Sequence, residues 1–366
     1  MRTPISPFPL TSCDKKPPIT PAGGAFESLC DCFIDAADYS IGRHSVKLII
    51  QIPCLNEESH LPDTVSKLPH SITGIDTIEL LVVDDGSTDR TSDVARKLGA
   101  LVVRIPTNRG LANAFMVGLE ASLARGASIV VNTDADNQYC GQDIENLVAP
   151  ILAGRADLVV GARPISKIAS FSLQKKVLQF IGSWVVRILS GTRVADASSG
   201  FRAISREAAL QANVFSRYTY TLETIVQAAQ RGLRVTSVPI RVNESTRASR
   251  LAASNISYLW RAGSGLIRIF VVYRPFRSFM VPAVVLFSAA TVIALRFLYY
   301  LFDSSGGAGH IQSLIFAAIL YGLSGVLLAV AFLGDLLAIN RRLLEEIRLD
   351  MRRTKFAMPH NDPTDE

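Results

Sequence analysis

The chain reads as an α/β domain built on a mostly parallel sheet, with an apolar helical hairpin behind it. Short apolar runs alternate with helix-like segments from Lys47 to Arg163, the mark of a sheet carrying helices on both faces. Two of these runs stop abruptly in acidic loops, D-D-G-S-T-D and D-A-D-N-Q. Two later segments, Phe279–Phe302 and Ile311–Ile339, each exceed the roughly 20 apolar residues that cross a bilayer as a helix. Their only charges are Arg296 and Asp335, and core helices rarely run so far without a polar face.

Met1–Pro21 is proline-rich and lacks the apolar centre of a signal peptide, so residues 1–45 are expected to form a disordered cytoplasmic tail. KLIIQIP, from Lys47, predicts the first strand, and a helical stretch starts at Glu57. ELLVV predicts a second strand ending in Asp84-Asp85-Gly86-Ser87-Thr88-Asp89, where Thr88 or a neighbour caps a helix that Gly99 stops. ALVVRI leads through PTNRG into a helix over Leu111–Arg125, closed by Gly126. A fourth strand opens at Ile129 and breaks into Asp134-Ala135-Asp136-Asn137-Gln138. After a helix near Asp143–Leu152, ADLVVGAR supplies a fifth.

Beyond Arg163, Leu173, Val177, Phe180, Trp184 and Ile188 fall at helical spacing, a stripe that suits the membrane interface and the face of the sheet equally. Arg234–Val242 predicts the last strand, before the polar loop NESTRASR. The expected domains are the tail (1–45), the α/β domain (46–252), a juxtamembrane amphipathic segment (253–278), the hairpin (279–339) and a basic cytoplasmic tail (340–366).

The link Asp303–His310 holds no Lys or Arg, whereas arginines crowd both flanks of the hairpin, which by the positive-inside rule puts both termini and the α/β domain in the cytoplasm. A net charge of +6 fits attachment to anionic lipid. No basic–aromatic run or recognition helix points to nucleic acid. The five cysteines show no C-x-x-C spacing and read as reduced thiols.

In a parallel sheet, the three loops after the first, second and fourth strands share one edge, so their acidic residues gather in one cleft. Two carboxylates one residue apart, Asp134 and Asp136, suit a hard divalent cation that leaves positions for water and phosphate oxygens, with Gln138 as a third oxygen donor. The G-x-G-x-x-G of dinucleotide enzymes and the P-loop are both missing.

The ordered set P-x-L-N-E, V-V-D-D-G-S-T-D, D-A-D-N-Q, V-G-A-R and S-G-F-R-A resembles the family-2 glycosyltransferases with a GT-A fold, and within them the polyprenyl-phosphate, dolichol-phosphate mannose synthase-like branch. The resemblance covers about Lys47–Leu251, and the hairpin is similar to that branch's anchor. It implies that Pro53, Asn56, Glu57 and Asp85 surround the base and ribose of a nucleotide-sugar. It also implies that Asp134, Asp136 and Gln138 hold Mg2+ or Mn2+, and that Arg163 binds phosphate. Ser199-Gly200-Phe201 would form a turn beside the acceptor, with Arg247, Ser249 and Arg250 on a basic loop over the phosphates. The usual glycine of that loop is missing, and Leu55 replaces a frequent aromatic, which leaves the nucleotide open.

The implied activity is inverting transfer of one sugar to polyprenyl phosphate at a membrane, by a monomer or a homo-oligomer. Transfer to a glycan hydroxyl is the alternative. It needs a base, for which Glu223 is the candidate, although a Glu on a helix is more often structural. A non-catalytic nucleotide-sugar scaffold is a third reading. The Q-x-x-R-W block of processive synthases is missing.

Overall fold

The computed structural model describes residues 45–165, 173–214, 220–243, 267–268, 270–302 and 311–357. The expected N-terminal tail up to residue 44, the loop carrying Arg247, Ser249 and Arg250, and the link Asp303–His310 lie outside the described residues, as does most of the juxtamembrane segment.

Seven strands form one sheet in the order β3-β2-β1-β4-β6-β5-β7, with β1 Lys47–Cys54, β2 Thr77–Asp84, β3 Leu101–Arg104, β4 Ile129–Asn132, β5 Leu158–Ala162, β6 Arg202–Ser205 and β7 Val235–Pro239. All run in one direction except β6, which is antiparallel to both β4 and β5. The central strands are continuous apolar runs because both faces are covered. On β1, Ile49 joins a cluster with Phe115, Leu119 and Leu123 of α3 (Leu111–Ala124). Its neighbours Leu48 and Ile50 point the other way, against Ile144, Leu147 and Val148 of α4 (Ile144–Leu152). The remaining domain helices are α1 (Leu61–Ser66), α2 (Thr91–Lys97), α5 (Leu173–Ser190), α6 (Arg206–Gln211) and α7 (Tyr220–Gln230).

One sequence expectation shifts. The helix expected from Glu57 begins at Leu61, because Glu57 O accepts the backbone N–H groups of His60 and Leu61 in a preceding turn. At the start of α2 the N-cap residue Arg90 makes no side-chain cap, and a neighbour of Thr88 serves the first turn: Asp89 Oδ1 accepts Thr91 N at 3.0 Å, while the Thr88 N–H goes to Asn56 Oδ1.

Helix α5 resolves the open question about its stripe. Gln179, Ser183, Val186 and Leu189 are buried against the domain, and Ser183 Oγ accepts Ala197 N. Val177, Phe180, Ile181, Trp184 and Ile188 stay exposed, with Trp184 at 51% and Phe180 at 66%. The apolar stripe therefore faces away from the sheet.

The hairpin helices are α8 (Pro275–Phe302) and α9 (Ile311–Lys355), both long and apolar enough to cross a membrane. They meet through small residues: Ala283, Ala290, Ala317 and Ala331 are buried between them, and Ser324 Oγ donates to Ala283 O at 2.8 Å. Helix α9 continues well past Ile339. Its last turns, expected to be a basic tail, lie along the catalytic domain. Arg352, 6% exposed, donates to the α6-terminal carbonyls of Leu210 and Ala212 and pairs with Glu120 at 2.7 Å. Arg353 meets Glu207, Arg348 meets Asn213, and Phe356 O accepts from Arg206. These contacts lie at the edge where β4 begins, since Arg206 also donates to Ala127 O.

Candidate active site

The register β1–β2 sets Cys54 beside Asp84, and β1–β4 sets Gln51 beside Asn132, so three acidic or polar loops leave the sheet side by side. Backbone and side-chain bonds hold them together. Cys54 O accepts Asp85 N at 2.9 Å, and Thr133 N donates to Gln51 O at 3.1 Å. Asn56 adopts φ 54°, a left-handed conformation that Asn tolerates, which lets its N–H reach Ser87 Oγ while its Oδ1 accepts Thr88 N at 2.8 Å. Thr64 Oγ1 donates to Ala135 O at 2.7 Å and Asn137 bonds to Asp63, which ties α1 to the D-A-D-N-Q loop.

Pro53, Asn56, Glu57 and Asp85, the expected donor cluster, do assemble on one edge. Pro53 and Glu57 are buried, and the Glu57 N–H donates to Thr91 Oγ1. Asp85 accepts the Arg109 N–H at one carboxylate oxygen and the Gly110 N–H at the other, at 2.9 and 2.8 Å, which holds the P-T-N-R-G loop against the tip of β2. Gly86 makes this possible: a Cβ there would lie 2.7 Å from Asn108 N, and its φ is 77°.

Asp134, Asp136 and Gln138 follow β4, half-buried at the mouth of the cleft. The Gln138 N–H donates to Asp136 Oδ1 at 3.2 Å. Asp134 faces the turn before β6, where a Cβ on Gly200 would stand 3.1 and 3.2 Å from its two carboxylate oxygens. That turn is held by Asn132 Nδ2 donating to Gly200 O at 2.9 Å, and by Gly200 N donating to Tyr139 Oη at 3.2 Å, with the Tyr139 ring stacked on Phe201. Burial, and then the charge of Asp136, push the Asp134 carboxyl up to about 6, against the opposing pull of Arg163 and a Tyr139 hydrogen bond. Burial first, and then the nearby carboxylates of Glu57, Asp84, Asp134 and Asp89, push the Cys54 thiol up, so four carboxylates act on this strand tip together. Two carboxylates in such a field, with oxygen donors beside them, fit a hard divalent cation. Among the described residues no three His, Cys, Asp or Glu side chains gather to hold a metal. The two carboxylates of Asp134 and Asp136 are the charged donors this loop offers an ion, with Gln138 as a neutral one.

Arg163 is almost wholly paired. Its Nε donates to Asp196 Oδ2 at 2.6 Å, and its Nη2 reaches Asp196 Oδ1 and Ser198 Oγ at 3.2 and 2.8 Å. Asp196 is a residue that sequence reasoning passed over, and its only signal was a carboxylate in the polar run D-A-S-S-G before the turn. Arg202, completely buried on β6, was equally hidden within S-G-F-R-A. Its Nη groups bond to Ser199 O, Thr221 O and Thr224 Oγ1, and its guanidinium lies 5.7 Å from the Tyr220 ring centre, fixing α7 against the turn. Glu223 lies on that helix but is only 4% exposed, and Tyr273 Oη stands 3.5 Å from its Oε1.

A mostly parallel sheet whose strand tips carry acidic loops and a D-x-D pair is a GT-A-type domain, and its sequence matches the model of glycosyl transferase family 2 over residues 49–211, from β1 through α6. The chain belongs to that family. A polyprenol monophosphomannose synthase of Mycolicibacterium smegmatis is 30% identical over 227 residues, 58% of this chain and 84% of that protein. An undecaprenyl-phosphate mannosyltransferase of Micrococcus luteus is 30% identical over 206 residues, 53% of this chain and 83% of that one. The fold is also that of a glucosyl-3-phosphoglycerate synthase from Mycobacterium tuberculosis, with a TM-score of 0.50 and 23% identity over 62% of this chain and 79% of the other.

Proposed function

We propose that the chain is a membrane-anchored, metal-dependent, inverting hexosyltransferase that moves one sugar from a nucleotide-sugar to a polyprenyl phosphate. The carrying observation is the Asp134–Asp136 pair in an acidic cleft on a domain bonded to two apolar helices. The relatives named for polyprenyl-phosphate transfer support the acceptor class. In this reading α8 and α9 span the bilayer, both termini face the cytoplasm, and the exposed stripe of α5 lies in the lipid surface.

A divalent ion, Mg2+ or Mn2+, held by Asp134 and Asp136 with Gln138, would neutralise charge on the leaving nucleoside diphosphate. Asn56, Glu57 and Asp85 shape the nucleotide pocket, and Asp196 fixes the Arg163 guanidinium at the cleft. Gly200 keeps the acceptor side of Asp134 open. A lipid phosphate is already anionic at neutral pH, so attack at the sugar carbon requires no base, and Glu223 serves to join α7 to Tyr273.

The test supplies detergent-purified full chain with a labelled nucleotide-sugar, divalent metal, and either polyprenyl phosphate or a hydroxyl-bearing glycolipid. Label in a phosphate-linked lipid, lost in EDTA and in Asp136→Ala, is the expected outcome. Label entering the hydroxyl acceptor alone, with Glu223→Gln inactive, would establish the other reading.

A further inference from the structure

A cavity of about 800 Å3 lies away from the D-x-D cleft, where the C-terminal end of α7, the entry to α8 and the cytoplasmic turns of α9 meet. Five arginines line it (Arg231, Arg274, Arg277, Arg341 and Arg342) against three carboxylates. Some of this charge is already used: Arg231 pairs with Glu345 at 2.9 Å, and Arg274 Nη2 donates to Leu189 O at 3.0 Å. Among the described residues the rest is not matched by hydrogen bonds. Arg341 lies over the Tyr273 ring, 4.5 Å from its centre, with Nε 3.5 Å from Glu345 Oε1. Among the described residues its buried Nε and Nη1, like the facing Glu345 Oε1, complete no hydrogen bond. Arg277 and Arg342 are exposed at the rim, and neither has an ion pair among the described residues. Pro275 and Phe276 give the same cavity an apolar wall.

Depth along the helices says what such a cavity meets. Pro275 opens α8, and Arg341 and Arg342 follow the long apolar segment Ile311–Ile339 of α9, so the arginines ring the point where both helices leave hydrocarbon for water. The two helices are pinned there: a Cβ on Gly334 would lie 2.9 Å from Pro275 Cβ. Guanidinium groups beside an apolar wall at this depth match a phosphate ester with acyl chains attached.

We infer that this cavity holds the phosphate of an anionic glycerophospholipid, a site separate from the transfer cleft. The inference rests on the membrane reading of α8 and α9. The lipid phosphate bridges Arg277 of α8 with Arg341 and Arg342 of α9, and so ties the hairpin to α7 through Arg231 and Glu345.

The experiment uses the full chain, delipidated in detergent. It measures co-flotation with phosphatidylcholine vesicles made with and without phosphatidylglycerol, and lipid retention by native mass spectrometry, with inorganic phosphate and glycerol phosphate as separate arms. The wild type should float with both vesicles and retain phosphatidylglycerol. Arg277→Gln with Arg342→Gln, both exposed positions, should still float yet weaken that retention by about tenfold or more, while the charge-matched pair Arg96→Gln and Arg155→Gln should not. Flotation without preference for phosphatidylglycerol, or equal losses in both double variants, overturns the site and leaves the membrane reading standing. Inorganic phosphate competing as well as the lipid overturns the lipid as its occupant. Failure to float sinks the membrane reading and this inference with it.

Discussion

At the scale of single residues, Asp134 links stability to chemistry. Its carboxyl is pushed from 3.8 to about 6, so in metal-free protein the folded state holds a proton that the unfolded state has released between those values. Stability contributed at this position is therefore present at low pH and lost as pH rises through that window. Thermal melts in EDTA should show a decline from about pH 4 to pH 6.5 that is smaller in Asp134→Asn, and that variant should have no transferase activity. An identical decline in both proteins would refute the assignment. Gly200→Ala places a methyl 3.1 Å from the same carboxylate and should cut turnover by roughly tenfold or more, while a distant Gly154→Ala leaves turnover intact. Asp196→Asn removes the ionic partner of a nearly buried guanidinium and should cost about 3 kcal/mol of stability or more, read as a lowered urea midpoint.

Among the elements, α9 and α5 give contrasting tests. Arg352 joins two α6 carbonyls and Glu120 in a buried position, so Arg352→Ala leaves acceptors unpaired and should destabilise the catalytic domain by roughly 2–4 kcal/mol. On α5, Phe180→Glu with Trp184→Glu alters side chains that touch little of the domain; folding should persist while transfer to vesicle-borne acceptor falls. The strands and α3 were legible in sequence because apolar continuity and terminal glycines are local signals. Strand β6 was not: it has four residues, starts with a buried arginine, and runs antiparallel to both of its neighbours, breaking the strand–helix alternation that marks the rest. The D-x-D pair and the donor loops could be read from loop position, whereas the Arg163–Asp196 pair spans 33 residues and exists only once β5 and the turn before β6 meet. The end of α9 was misread for a different reason. Glu345, Leu349, Arg352 and Phe356 share one helical face, but its charges look like those of a solvated tail until Glu120 and Arg206 are placed opposite.

For the whole molecule, the arginine-free link and the basic flanks predict sidedness: a cysteine introduced at Ser305 should react with an impermeant reagent outside intact cells, and one at Asp350 only after lysis. The reverse pattern would put the cleft out of reach of cytosolic nucleotide-sugars. Helix α9 runs unbroken for 45 residues, about 67 Å, from the start of its apolar segment through the lock at Arg352 to Lys355. It works as a gauge rod. On the proposed membrane reading, the helix and the second tether at Tyr273 and Arg274 would set the stand-off between bilayer and cleft at one value, so the headgroup of a membrane-embedded acceptor would meet the sugar at a fixed altitude. Seven alanines inserted after Asn340 would lengthen the rod by about 10 Å and keep its face nearly in phase. Transfer to a short-chain acceptor in detergent should survive that change, and transfer to an acceptor anchored in vesicles should fail.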